Sequence, residues 1–301
     1  MFRARATMLF LITITAVTAD PAAAQKSTAK SKTTKKPTSP AKQAFPLTCD
    51  NGSAPQFPNQ AASTKPATID TCGLSGSAAA TSADGKQNIV KNNFCAVGTP
   101  TPVKTSDMAS LQASVEKIPG FPKGTPPANR SALTKLGEGD AVVFEGFVFE
   151  ARQECKESVN CGTAMPNVNA SHDIHISLLD DVRKTKESDP QPKRDAEECT
   201  AFVAEMTPHH RPAQWTACSV NAVAAQGLRV RVTGQRSFDG SHLPCKNGAP
   251  QGSNPKRISL WEIHPIYKFE VCPKGNCAAG GWMDLADFAK NMPKCPEKNC
   301  K

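Results

Sequence analysis

The residues in this chain that could do chemistry are histidines and carboxylates spaced along strand-like segments. All six histidines, His172, His175, His209, His210, His242 and His264, fall between residues 141 and 271. In Asp173–Leu179 the apolar Ile174, Ile176 and Leu178 alternate with Asp173, His175 and Ser177. Thr200–Met206 sets Phe202, Ala204 and Met206 against Val203 and Glu205, and Ser259–Val271 sets Trp261, Ile263 and Tyr267 against Glu262 and His264. Successive strand residues point to opposite faces, so burying each apolar set sends Asp173, His175, Glu205, Glu262 and His264 to the other face.

Imidazoles and carboxylates converging on one open sheet face form a donor set suited to zinc or manganese. His175, His264 and Glu205 are the expected ligands, with Asp173 and Glu262 as ligands or their supports. Two loops extend the set: Glu157-Ser-Val-Asn-Cys161, and Phe238–Cys245, which brings Asp239 and His242. Metal-activated water with Arg211 or Arg231 as an anion clamp would give phosphodiester hydrolysis, with Glu205, Arg211 and His242 as candidate catalytic residues. The same groups could do general acid–base work without metal. The alternative is a non-catalytic binding module whose histidines and carboxylates form an internal hydrogen-bond network, the usual fate of a single strand histidine. No HExxH helix, GxSxG elbow, P-loop or GxGxxG turn is present. One tyrosine and few aromatics on the expected surface disfavour a base-stacking single-strand binder.

The elements that must carry these residues follow from hydrophobic period. Val142–Arg152 is β-branched and aromatic, with Gly146 as an expected bend. Asp173–Leu179 and Thr200–Met206 follow; Arg211–Gln226 reads as a helix; Leu228–Thr233 and Ser259–Val271 complete the series. Three strands, a helix and two strands give a mainly β fold, a five-stranded OB-fold-like barrel with its helix between strands three and four, over residues 133–271. A β-sandwich would need more strands.

Residues 1–24 read as a signal peptide: Arg3 and Arg5, a short apolar run, then Ala22-Ala-Ala24. The run is shorter than the ~20 residues that span a bilayer, which implies a secreted or periplasmic protein. Residues 25–43 carry six lysines and no acid, a disordered linker that could meet nucleic acid or another anionic polymer, or serve as a solvated spacer. Of the formal +9, the linker takes six charges and the signal one, so the remainder holds +2. Residues 44–132 read as loops stapled by disulfides around one helix, Ser106–Lys117, docked on the barrel. Residues 272–301, with four cysteines around a helix at Trp282–Met292, read as a disulfide-pinned cap. The twelve cysteines suit disulfides in an oxidising compartment better than structural zinc, since none has knuckle spacing. Their pairing stays open.

Taken together, Asp173–Leu178, Glu205-Met-Thr-Pro208, Val232-Thr-Gly234, Ser237–His242 and Trp261-Glu-Ile-His-Pro265, with Lys91–Cys95 before them, resemble segments of a group of exported bacterial proteins. That resemblance covers about half of the chain beyond residue 24 and implies an OB-like fold without an established activity. In architecture the chain also resembles secreted OB-fold nucleases, although their Asp/Arg/Glu calcium-site pattern is not present.

Overall fold

The computed structural model describes residues 74–94, 96, 99–154, 157–159, 172–208, 211–252, 254–275, 277, 280–290 and 292. The signal segment, the linker, His209, His210, Cys49, Cys72, Cys95, Cys155, Cys161, Cys295 and Cys300 lie outside the described residues. The strands are β1 Thr101–Val103, β2 Ala141–Gln153, β3 Ile174–Leu179, β4 Phe202–Met206, β5 Arg229–Phe238, β6 Trp261–Cys272 and β7 Met283–Asp284. The helices are α1 Ala83–Lys91, α2 Thr105–Glu116, α3 Ser131–Lys135, α4 Gln191–Glu198, α5 Ala217–Ala225 and α6 Leu285–Ala289.

Strands β2 to β6 close into a mixed barrel in the order β2-β3-β4-β6-β5 and back to β2. Within it only β4 and β6 run parallel; the other neighbours are antiparallel. That order, with α5 between β4 and β5, is the OB arrangement expected from the sequence. β2 belongs to both halves. Ala141–Phe147 pairs with β5, Phe147–Gln153 pairs with β3, and the bend falls beside Gly146. A Cβ there would lie 2.3 Å from the Leu179 carbonyl oxygen and 2.4 Å from the Phe144 ring, so only glycine lets the strand turn. Ile174, Ile176, Leu178, Phe202, Ala204, Met206, Trp261 and Ile263 fill the interior with Phe144, Val230, Val232 and Phe269.

Several elements differ from the reading of the sequence. The helix expected over 211–226 begins at Ala217, because Thr216 is extended and its hydroxyl accepts the Ser219 N–H as an N-cap. Met283 and Asp284 pair with Val271 and Glu270, which shortens the C-terminal helix to Leu285–Ala289. In β6 the alternation slips: Ile263 and Ile266 both enter the core, while Tyr267 stacks on Phe94 and its hydroxyl donates to the Asn93 carbonyl outside it. The register shifts opposite Gly234 account for the slip, since a bulge adds one residue and reverses the faces beyond it.

The front region holds more structure than one helix. β1 runs parallel to β2, and α1, with its Ser82 N-cap, packs near β5. Cys199 is bonded to Cys245 and Cys272 to Cys277, and no described cysteine is free. Among the described residues no helix is long and apolar enough to cross a membrane.

Candidate metal centre

The strand phase sends the expected side chains to one outer wall of the barrel. Asp173 immediately precedes β3 and His175 lies on it; Glu205 is on β4, and Glu262 and His264 on β6. All five are at most 1% exposed. The open face expected from the sequence is therefore covered. The cover is polar: Gln87, Asn88 and Lys91 form the buried side of α1, and Lys91 Nζ reaches into the carboxylates. It donates to Glu157 at 3.3 Å and to Asp239 at 3.0 Å, and lies 3.2 Å from Glu205 Oε2. Gln87 holds the far oxygen of Asp239 at 2.8 Å, and Asn92 accepts the Thr207 hydroxyl.

Three groups of donors converge here: Glu157, Asp173, His175 and Glu205; Glu157, Asp239 and His242; and Glu205, Glu262 and His264. Within each, the donor atoms lie within 4.8 Å of one another. Glu157 joins the first two groups and Glu205 joins the first and third. His175 Nε2 lies 3.3 Å from Glu157 Oε1, 3.3 Å from Glu205 Oε1 and 3.8 Å from Asp173 Oδ2. A tetrahedral ion with bonds of ~2.0–2.2 Å sets its donors ~3.3–3.6 Å apart, a range the two 3.3 Å contacts meet and the 3.8 Å contact to Asp173 slightly exceeds. Neither ring nitrogen of His175 nor either oxygen of Glu205 makes an aligned hydrogen bond. Donors this close are compatible with a shared cation, and also with ion pairs to a protonated His175.

His175 and His264, expected to share an ion, belong to separate groups linked through Glu205. His264 Nδ1 meets Glu205 Oε2 at 2.8 Å, on the oxygen opposite the one facing His175. Glu262 is paired with buried Arg257, which also comes within 4.0 Å of Asp239. His242 Nε2 lies 3.1 Å from Glu157 and 3.3 Å from Asp239, and the His242 and Glu157 side chains are the partly open members, 17% and 19% exposed. Arg211 follows β4; its Nη1 donates to the Met206 carbonyl at 2.9 Å, and it feels the Asp173 charge. Arg231 is not part of the cluster. It is paired with Glu270 and stacks on Trp282.

The electrostatics follow from this crowding. Burial opposes charge on Lys91, but Asp239, Glu157, Glu205 and Glu262 outweigh it and hold its pKa well above the usual value. Burial likewise opposes the imidazolium of His175, yet Glu205 and Glu157 raise its pKa well above 6.5; burial and Glu205 compete in the same way at His264, which is also raised. Burial would push Glu157 and Glu205 up, but Lys91 and His175 bring both well below the usual range, and Lys91 lowers Asp239. Asp173 is raised by burial and by Glu157, and Glu262 by burial and by Glu205. Burial lowers Arg211 to about 10, which leaves it charged at neutral pH.

Lys91 and Arg257 were not among the site residues expected from the sequence, whereas Asp239 and His242 arrive from the loop expected to bring them. No signal of period could have found Lys91, whose helix buries polar side chains. The chain matches no family model, no curated protein and no solved structure.

Proposed function

We propose that this chain is an exported OB-barrel protein that binds one divalent metal ion, zinc or manganese, through Glu157, Asp173, His175 and Glu205. The observation that carries this is the contact of one buried imidazole nitrogen with three carboxylates at 3.3–3.8 Å without hydrogen-bond alignment. In the ion-free chain the raised His175 and His264 imidazolium groups, with Lys91, Arg211 and Arg257, balance the five carboxylates Asp173, Glu157, Glu205, Asp239 and Glu262; a divalent ion would take the place of those two protons. A cation touches every group, Lys91 meeting Glu157, Glu205 and Asp239 and Arg257 meeting Glu262, but the first group is the largest and brings four donors together.

Burial of Asp173, His175 and Glu205 favours an ion that ties β3, β4 and the Glu157 loop together, as in a non-catalytic envelope or extracellular binding module. A second reading, hydrolysis of phosphodiesters, is favoured by the partial exposure of Glu157 and His242, which gives water a route to the donors. In that reading a bound ion would supply an activated water. His242 would take its proton, Glu205 would hold the donor geometry, and Arg211 would face the anion. The exported location rests on residues 1–24 and on the disulfides, and agrees with the resemblance to exported bacterial proteins. The Lys-rich linker would add salt-sensitive affinity for nucleic acid or another anionic polymer.

Elemental analysis of the purified chain before and after chelator tests the metal. About one equivalent of zinc or manganese, lost in His175→Ala, is expected. Absence of metal, together with a melting temperature that added ions do not move, would refute the reading. Hydrolysis of bis(p-nitrophenyl) phosphate by the loaded chain, abolished by chelator and by His242→Ala, separates the hydrolase from the binding module. Salt-dependent binding to DNA, compared with and without residues 25–43, tests the linker.

A further inference from the structure

Two donor groups that share a carboxylate would ordinarily invite a pair of bridged ions. Glu157 is such a carboxylate, common to the Asp173/His175/Glu205 group and to the Asp239/His242 group. Lys91 interrupts the pairing. Its ammonium is 2% exposed and lies 3.0–3.3 Å from Asp239, Glu157 and Glu205, all within hydrogen-bonding or ion-pair reach. Asp239 is the one carboxylate of the second group not shared with the first, and it is the residue Lys91 approaches most closely. α1 fixes that lysine in place: Gln87, one turn before it, donates to Asp239 and to the Ser241 hydroxyl, and Asn88 donates to Ser158 Oγ beside Glu157.

We infer that Lys91 is a built-in monovalent counterion standing where a second divalent ion would sit, and that it sets the centre to a single ion. The inference rests on the metal reading above and goes beyond it, because it assigns the ion count to one residue of the front region. A lysine can do this where a water cannot. It brings a permanent positive charge, donates to Glu157 and Asp239, and pairs by charge with Glu205. With the charge removed, Glu157, Asp239 and His242 become a free set of donors next to a shared bridge. A second divalent ion then has ligands and an unbalanced charge to bind.

The experiment counts ions on the full chain. Mn²⁺ is titrated into the native protein, Lys91→Met, Lys91→Gln and Lys91→Arg, with equivalents bound measured by elemental analysis and the spin state followed by electron paramagnetic resonance. One equivalent with an isolated six-line spectrum is expected for the native chain and for Lys91→Arg. Two equivalents with an exchange-coupled spectrum are expected for Lys91→Met and Lys91→Gln. Two ions on the native chain, or a single ion on folded Met and Gln variants, would overturn the inference while leaving the metal site intact. A native chain that binds none would instead remove the reading beneath it. Should neither neutral variant fold, the native count at saturating Mn²⁺ still decides, since a second bridged ion beside an intact Lys91 contradicts the assignment.

Discussion

His175 and Glu205 are direct cross-strand partners in the β3–β4 register, and Nε2 of one lies 3.3 Å from Oε1 of the other. Neighbouring positions on paired strands bring Cβ atoms to ~4.5–5.5 Å, so the register itself delivers the two donors to one point. A slip of one residue would turn both into the core and Ile176 and Ala204 out. The centre is therefore as rigid as the barrel.

Removing either partner should abolish tight metal binding. His175→Ala and Glu205→Gln are each expected to weaken Mn²⁺ affinity by about 100-fold or more, above the ~10–100-fold typical of supporting residues. Glu262→Gln, whose carboxylate lies in the Arg257 pair, should weaken it by about tenfold. Calorimetric titration of the three variants checks the order. Equal losses in all three would place the ion elsewhere.

The barrel was legible because its strands alternate. Ile174, Ile176 and Leu178, then Phe202, Ala204 and Met206, carry a period of two that fixed which side chains leave the core. The reading stopped at three physical obstacles. The bulges opposite Gly234 moved Tyr267 to the outer wall, and a count of alternation cannot see an added residue. α1 buries Gln87, Asn88 and Lys91, so it lacks the apolar stripe that marks a docked helix. The wall then looked open, since nothing in the order of strands says that a polar helix closes it. Arg257 lay in a stretch rich in Gly, Pro and Asn that reads as loop.

Stability should depend on pH in a way that metal changes. Glu157, Glu205 and Asp239 are lowered, so their contribution is present above the ordinary carboxylate range near 4.5 and is lost as pH falls through the depressed values. His175 and His264 are raised, so their contribution is present below 6.5 and is lost as pH rises through the raised values. Asp173 and Glu262 are raised as well, so their smaller contribution is present below the ordinary carboxylate range and is lost as pH rises through their raised values. The ion-free chain should melt highest between about pH 4.5 and 6.5. Mn²⁺ should bind more tightly as pH rises, displacing the His175 proton, and should cancel the alkaline loss. Superimposable melting curves with and without Mn²⁺ across this range would contradict the assignment.

Lys91→Met should destabilise the ion-free chain by about 3–5 kcal/mol, because it strands Glu157, Asp239 and Glu205 without their ammonium. Burial makes the loss insensitive to salt, unlike an exposed pair. Divalent ions should restore most of it. Denaturant unfolding at two ionic strengths, with and without Mn²⁺, measures all three effects, and a loss below about 1 kcal/mol would mean that the lysine is dispensable to the cluster.

Arg130 offers the control that separates fold from site. Its side chain is fully buried and binds Glu138 through two nitrogens, the Phe238 carbonyl through another contact, and Gln87 Oε1 at 3.3 Å. Glu138 in turn accepts the Phe238 N–H at 3.0 Å, so the pair clamps the end of β5 immediately before Asp239. Breaking a buried pair from one side leaves an uncompensated charge, and Arg130→Met should cost about 3–5 kcal/mol. None of its partners donates to the four proposed ligands. Mn²⁺ affinity of the folded variant should stay within about threefold of native, while its denaturation midpoint falls sharply. A parallel collapse of affinity would show that metal binding merely follows global stability, and the proposed ligands would lose their special standing.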